Sequence, residues 1–122
     1  MEEITSEEFQ RLIDEALSEL PGEHVKNISN VAILYEEEPT PEQRVQNKLS
    51  FNETLLGLYE GVPLSRRQGR VTTFPDRITL FMGPLSRQSS DISSLKENIK
   101  HTLWHEIAHY YGLNHDDIAA KE

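Results

Sequence analysis

Cysteine is absent from the 122 residues of this chain. That excludes a disulfide framework, a catalytic thiol and any metal site built on thiolates. A bound metal would have to be held by His, Asp or Glu. No apolar run approaches the roughly 18 residues needed to cross a bilayer. Long basic runs are missing too, and 12 Lys and Arg stand against 21 Asp and Glu, for a net charge of −9. A chain this acidic is a poor match for a phosphate backbone or an anionic membrane surface, so neither nucleic acid nor membrane is an expected partner. The opening Met1-Glu2-Glu3-Ile4-Thr5 lacks the basic and apolar stretches of a secretory signal, and cytoplasmic residence is the expectation.

What is present suits one globular domain over residues 1–122, with a single core. Charge is uneven: residues 1–60 hold 14 acids and four bases, residues 61–122 seven acids and eight bases. Phe9, Leu12, Ile13, Ala16, Leu17 and Leu20 form one helical stripe. Thr5-Ser6-Glu7-Glu8 fits a capping box ahead of it, and Pro21-Gly22 closes it. Val31–Tyr35 reads as a short strand buried on both faces, and Glu36–Ser50 as a long surface loop. Leu55–Tyr59 reads as a second strand, with Gly57 a bulge or a close backbone approach. Arg77–Met82 reads as a third strand, stopped by Gly83-Pro84. A last helix follows, with Ser94-x-x-Glu97 as its capping box, Leu95, Ile99, Leu103 and Ile107 spaced by four, and Gly112 as its left-handed stop. Trp104, Phe81, Ile33 and Leu34 join Leu103 and Ile107 as expected core residues. The fold expected is α+β: a small mixed sheet of three to four strands packed on the N-terminal and C-terminal helices.

Four of the five histidines fall in the last 22 residues. The stretch His105-Glu106-Ile107-Ala108-His109-Tyr110-Tyr111-Gly112-Leu113-Asn114-His115 contains H-E-x-x-H and extends to H-E-x-x-H-x-x-G-x-x-H. Residues i and i+4 share a helix face, so the imidazoles of His105 and His109 can reach one ion. Glu106 lies about 100° around the helix, placed to hold a water rather than to share the ion's shell. Gly112 allows a sharp turn that can return His115 as a third ligand. Three nitrogens leave one tetrahedral position for water, as in catalytic zinc sites. His101 also precedes His105 by four, but i to i+8 is about 12 Å of rise, so His101 and His109 cannot share an ion. His101 is read as a partly exposed helix residue or a supporting partner. With this chain's frequencies, one H-E-x-x-H arises by chance about 3% of the time, and the extended motif about once in 20,000.

The extended motif resembles the metzincin signature. The stretches Leu55–Leu64, Pro75–Leu80 and Gly83-Pro84, with the histidine helix, resemble a family of short zincin-like metallopeptidases, mostly bacterial. That resemblance implies a minimal zincin fold, zinc on His105, His109 and His115, and Glu106 as general base. Zinc would lower the pKa of its bound water toward about 7, Glu106 would take the proton, and the hydroxide would attack a peptide carbonyl. The expected function is therefore zinc-dependent peptide hydrolysis, with a peptide or protein substrate lying along an exposed strand edge.

There are departures and alternatives. No Met follows His115 to form a turn beneath the metal. Asp116 stays open as an alternative or supporting ligand. Arg66, Arg67, Arg70 and Tyr59 are weak candidates for oxyanion support, more simply read as loop charges and a core aromatic. A three-histidine site in a small domain is also similar to an rRNA-maturation endoribonuclease family, against which Glu106 and the acidic charge argue. A non-enzymatic zinc-binding or interaction module, closed by Asp116, is the third reading.

Overall fold

Thr5 starts the first helix. Its hydroxyl accepts from the Glu8 N–H at 3.1 Å, and the Glu8 carboxylate accepts from the Thr5 N–H at 3.4 Å. This is the expected capping box, and it opens α1 (Ser6–Glu19). A single turn, α2 (Gly22–Val25), follows. Next come β1 (Val31–Glu36), α3 (Pro41–Gln46), β2 (Gly57–Glu60), β3 (Asp76–Phe81), α4 (Met82–Arg87) and α5 (Ile92–Tyr111). The computed structural model describes residues 4–25, 28, 31–46, 55–61 and 76–112.

Among the described residues the sheet is mixed and three-stranded, in the order β1-β3-β2. β1 runs parallel to β3, with Val31 opposite Asp76 and Glu36 opposite Phe81. β2 runs antiparallel, with Gly57 opposite Leu80 and Glu60 opposite Arg77. The expected α+β architecture is therefore present, with an N-terminal helix and a C-terminal helix. α5 packs on α1 and on both β2 and β3. Phe9, Leu12, Ile13 and Ala16 of α1 are buried in one cluster with Leu95, Ile99, Leu103 and Ile107 of α5, so both helical stripes form the core they predict.

Four local expectations need correction. Among the described strands β1 lies at the edge of the sheet rather than buried on both faces, and Leu34 is 44% exposed. The doubly buried strand is β3, where Ile78, Thr79, Leu80 and Phe81 are all buried, because among the described strands β3 has a neighbour on each side. The stretch from Glu36 to Ser50 is not wholly loop, since it carries α3. Thr40 and Gln43 form a reciprocal cap there, at 3.1 and 2.8 Å, and Pro41 occupies the first helical position, where its missing N–H costs nothing.

The N-cap of α5 is Asp91, not Ser94. Asp91 Oδ1 accepts from the Ser94 N–H at 2.8 Å, and Ser94 Oγ accepts from the Asp91 N–H at 3.1 Å. A carboxylate three residues earlier caps just as well and lengthens the helix by most of a turn. The bond from the Ser94 amide holds the Asp91 carboxyl below the usual carboxylate range. Finally, β3 ends at Phe81 rather than Met82, Gly83-Pro84 lie in the first turn of α4, and the Gly83 N–H donates to the Glu37 carbonyl at 2.8 Å. Across this junction Arg87 makes two bonds to the Glu38 carboxylate, at 2.8 and 3.0 Å.

Gly57 shows why β2 can lie so close to α5. A Cβ there would sit 2.6 Å from Thr102 Cγ2 and 3.3 Å from Glu106 Cγ. The expectation of a close backbone approach is met, and the partner is the histidine helix. Among the described residues, no helix is long and apolar enough to cross a membrane.

Gly57→Ala should force β2 and α5 apart, because Thr102 is β-branched and stiff on a helix. The expected cost is about 1–3 kcal/mol, read as a lower thermal midpoint by circular dichroism.

Candidate metal centre

The last turns of α5 are buried on most sides. Trp104, Ile107, Ala108 and Tyr110 are covered, and Gly112 closes the helix at φ 83° in the left-handed conformation. The expected helix stop is thus in place. His105 and His109 share one face, with ring centroids 4.7 Å apart and planes at 64°. Both are half-buried.

Glu106 is only 6% exposed. Its Oε1 accepts the Tyr59 main-chain N–H at 3.0 Å and lies 3.3 Å from His109 Nδ1. One ligand atom from each of His105, Glu106 and His109 can be chosen so that all three lie within 4.8 Å of one another. Two imidazoles and a carboxylate at this spacing form a group able to hold a metal ion, and their N and O donors fit an ion of zinc's borderline softness.

The electrostatics of His109 follow from its neighbour. The bond to Glu106 pushes its pKa up, against a smaller opposing effect of burial. A proton on Nδ1, aimed at Glu106, leaves Nε2 as the nitrogen with a lone pair for an ion.

A cavity of about 300 Å³ adjoins the cluster. It is lined by Leu55, Leu56 and Gly57 on one side and by His101, Thr102, His105 and Glu106 on the other. That is the small end of the range of ligand pockets. His101 is exposed, as expected, and sits at this cavity rather than in the metal cluster. The Tyr59 hydroxyl is directed at Asp76 Oδ2, 2.6 Å away. His115, expected as third ligand, lies outside the described residues, as do Asp116, Arg66, Arg67 and Arg70.

A family profile described as zincin-like metallopeptidase matches residues 28–122. The chain belongs to the zincin-like metallopeptidase family. The match takes in all three strands and the helix carrying His105, Glu106 and His109. The zincin-like chain also resembles, in its fold, a conserved hypothetical protein from Thermo thermophilus, at 18% identity and a TM-score of 0.55. That likeness covers 97% of this chain and 100% of the other, and shows the fold alone. No curated protein matches this zincin-like chain significantly.

Two partners of the site escape a reading of the motif. One is the Tyr59 main-chain N–H, which any residue but proline supplies and which leaves no trace in side-chain identity. The other is Asp76, buried beneath Gly61 at the start of β3. It falls in the Pro75–Leu80 stretch that carries the family resemblance, which marks the residue without saying what it bonds.

The His109–Glu106 pairing sets a pH dependence. A raised imidazole pKa stabilises the ion-free fold below the ordinary imidazole range, and that contribution is lost as pH rises through the raised value. Ion uptake runs the other way, because the ion must displace a proton. Zinc binding should weaken as pH falls through the His109 value. Glu106→Gln, which removes the charge holding that proton, should move the acid midpoint of zinc binding to lower pH in calorimetric titrations. An unmoved midpoint would contradict the pairing.

Proposed function

We propose that the protein is a zinc-dependent metallopeptidase, with His105, His109 and His115 as ligands and Glu106 as the group that accepts a proton from the attacking water. The observation that carries this reading is the convergence of two imidazoles and one buried carboxylate at the end of a capped helix, inside a family of zincin-like metallopeptidases. Zinc, when bound, supplies a Lewis acid that brings water's acidity toward neutrality and polarises a carbonyl.

The remaining work falls to the chain. Glu106 is a carboxylate held in a nearly dry position by two donors, so it can take a proton from water and return it to the departing amine. The proton count balances: one leaves the water, and one arrives on the new amino terminus. His105 and His109 would hold the ion through lone pairs, and Glu106 biases the tautomer of His109.

A peptide substrate is favoured by the edge of β2. The Leu56 carbonyl accepts from the Phe81 N–H at 3.0 Å, so alternation turns the main-chain groups of Gly57 and Tyr59 away from β3. The Tyr59 N–H is taken by Glu106. The groups of Gly57 lie one step along the same edge, beside the 300 Å³ cavity. A peptide entering this cavity would bring a carbonyl toward Glu106, and a small apolar side chain would suit the Leu55 and Leu56 wall. The acidic charge disfavours nucleic acid as substrate.

The test is metal analysis and peptide-library cleavage on two variants. His105→Ala should lose zinc. Glu106→Gln should keep zinc while cleavage falls about 10²- to 10⁴-fold, the usual contribution of a positioned proton-transfer group. Full zinc content in the first variant, or undiminished cleavage in the second, would refute the assignment.

A further inference from the structure

A carboxylate works as a proton acceptor only if one oxygen is presented in a fixed direction. A glutamate has several rotatable side-chain bonds, and burial alone does not choose among its rotamers. For Glu106 the choice is made partly from outside α5. The Tyr59 N–H and His109 Nδ1 both converge on Oε1, at 3.0 and 3.3 Å. Both contacts fall on one oxygen, so together they set the direction in which Oε2 points.

Tyr59 is itself held at three points. It stands opposite Ile78 of β3, beside Leu58 in the strand register. Its ring stands edge-on to Tyr110, with centroids 6.2 Å apart and planes at 83°, one residue beyond His109. Its hydroxyl donates to Asp76 Oδ2 at 2.6 Å. Asp76 is 3% exposed, and Gly61 lies so close that even a methyl group there would overlap its carboxylate.

Packing alone does not require this arrangement. A phenylalanine would fill the space against Tyr110 but would take a donor from the buried Asp76 carboxyl. The bond from the Tyr59 hydroxyl to the buried Asp76 fixes where the aromatic residue lies, and so where its amide points.

The geometry points to Asp76 and Tyr59 as a positioning pair for Glu106: Asp76 fixes Tyr59, and the Tyr59 N–H holds Oε1 so that Oε2 receives the proton. The catalytic part rests on the reading of Glu106 as proton acceptor, whereas the hydrogen-bond relay stands without it.

Two measurements separate these levels. The first is amide hydrogen exchange of residue 59 by NMR, referenced to the Ile99 and Leu103 amides in α5. This amide donates to the Glu106 carboxylate, so Glu106→Ala should speed its exchange about tenfold or more while the reference amides hold. Tyr59→Phe should do the same, and Asp76→Asn, which keeps an acceptor, should stay near wild type. The second is peptide hydrolysis by the zinc-loaded protein. Tyr59→Phe should lower kcat about tenfold with KM within about twofold and zinc content unchanged. Asp76→Ala should match it, and the double variant should be no worse than either single one.

Equal exchange at residue 59 in wild type, Tyr59→Phe and Glu106→Ala overturns the proposal. So does an active Tyr59→Phe enzyme with unaltered kcat. A wild-type protein that cleaves no peptide yet shows the exchange pattern supports the relay and defeats the hydrolase reading. Should Tyr59→Phe fail to fold, Asp76→Asn and Asp76→Ala still give the comparison.

Discussion

A buried carboxylate must find donors, and in this protein one donor comes from the sheet. The bond from the Tyr59 amide to Glu106 joins the edge of β2 to the helix that carries the histidines. It requires α5 to lie close along the sheet, and Gly57 makes that possible by having no side chain to hold the two apart. The other properties of the site depend on this approach: the low exposure of Glu106, its bond to His109, and the cavity shared by strand and helix.

α5 has two duties. Leu95, Ile99, Leu103 and Ile107 are fully buried, and burial of such side chains contributes about 1.5–3 kcal/mol each against chain entropy. The ion pairs outside, Lys96 and Lys100 with Glu19 and Arg87 with Glu38, are largely solvent-exposed and contribute far less. The helix is therefore anchored by its apolar stripe. That anchoring lets another face carry polar groups that by themselves favour solvent. Core and site share one element, so a change that loosens the stripe also displaces His105 and His109.

The parts legible in the sequence are those with a period or a spacing. The stripes of α1 and α5, the Thr5 cap, the Gly112 stop and the pairing of His105 with His109 all follow from helix geometry. The place of β1 is not legible, because an apolar run of five does not say whether it lies at the centre or the edge, and strand order depends on contacts distant in the chain. The turn at Pro41 has a readable signal in Thr40-Pro41-Glu42-Gln43, hidden by the polar composition around it. Asp91 displaces Ser94 because two adequate caps stand three residues apart. The Tyr59 amide cannot be read at all, since main-chain donors carry no side-chain signature.

The exposed border of a small sheet invites association with other extended chains, because its outward amides and carbonyls serve as a template. Here that template is interrupted. A foreign strand advancing along β2 meets an amide already occupied by a buried acid, and must break that bond to continue. A strand added along β2 would therefore compete with Glu106 for the Tyr59 amide, and would disturb the site before it could extend.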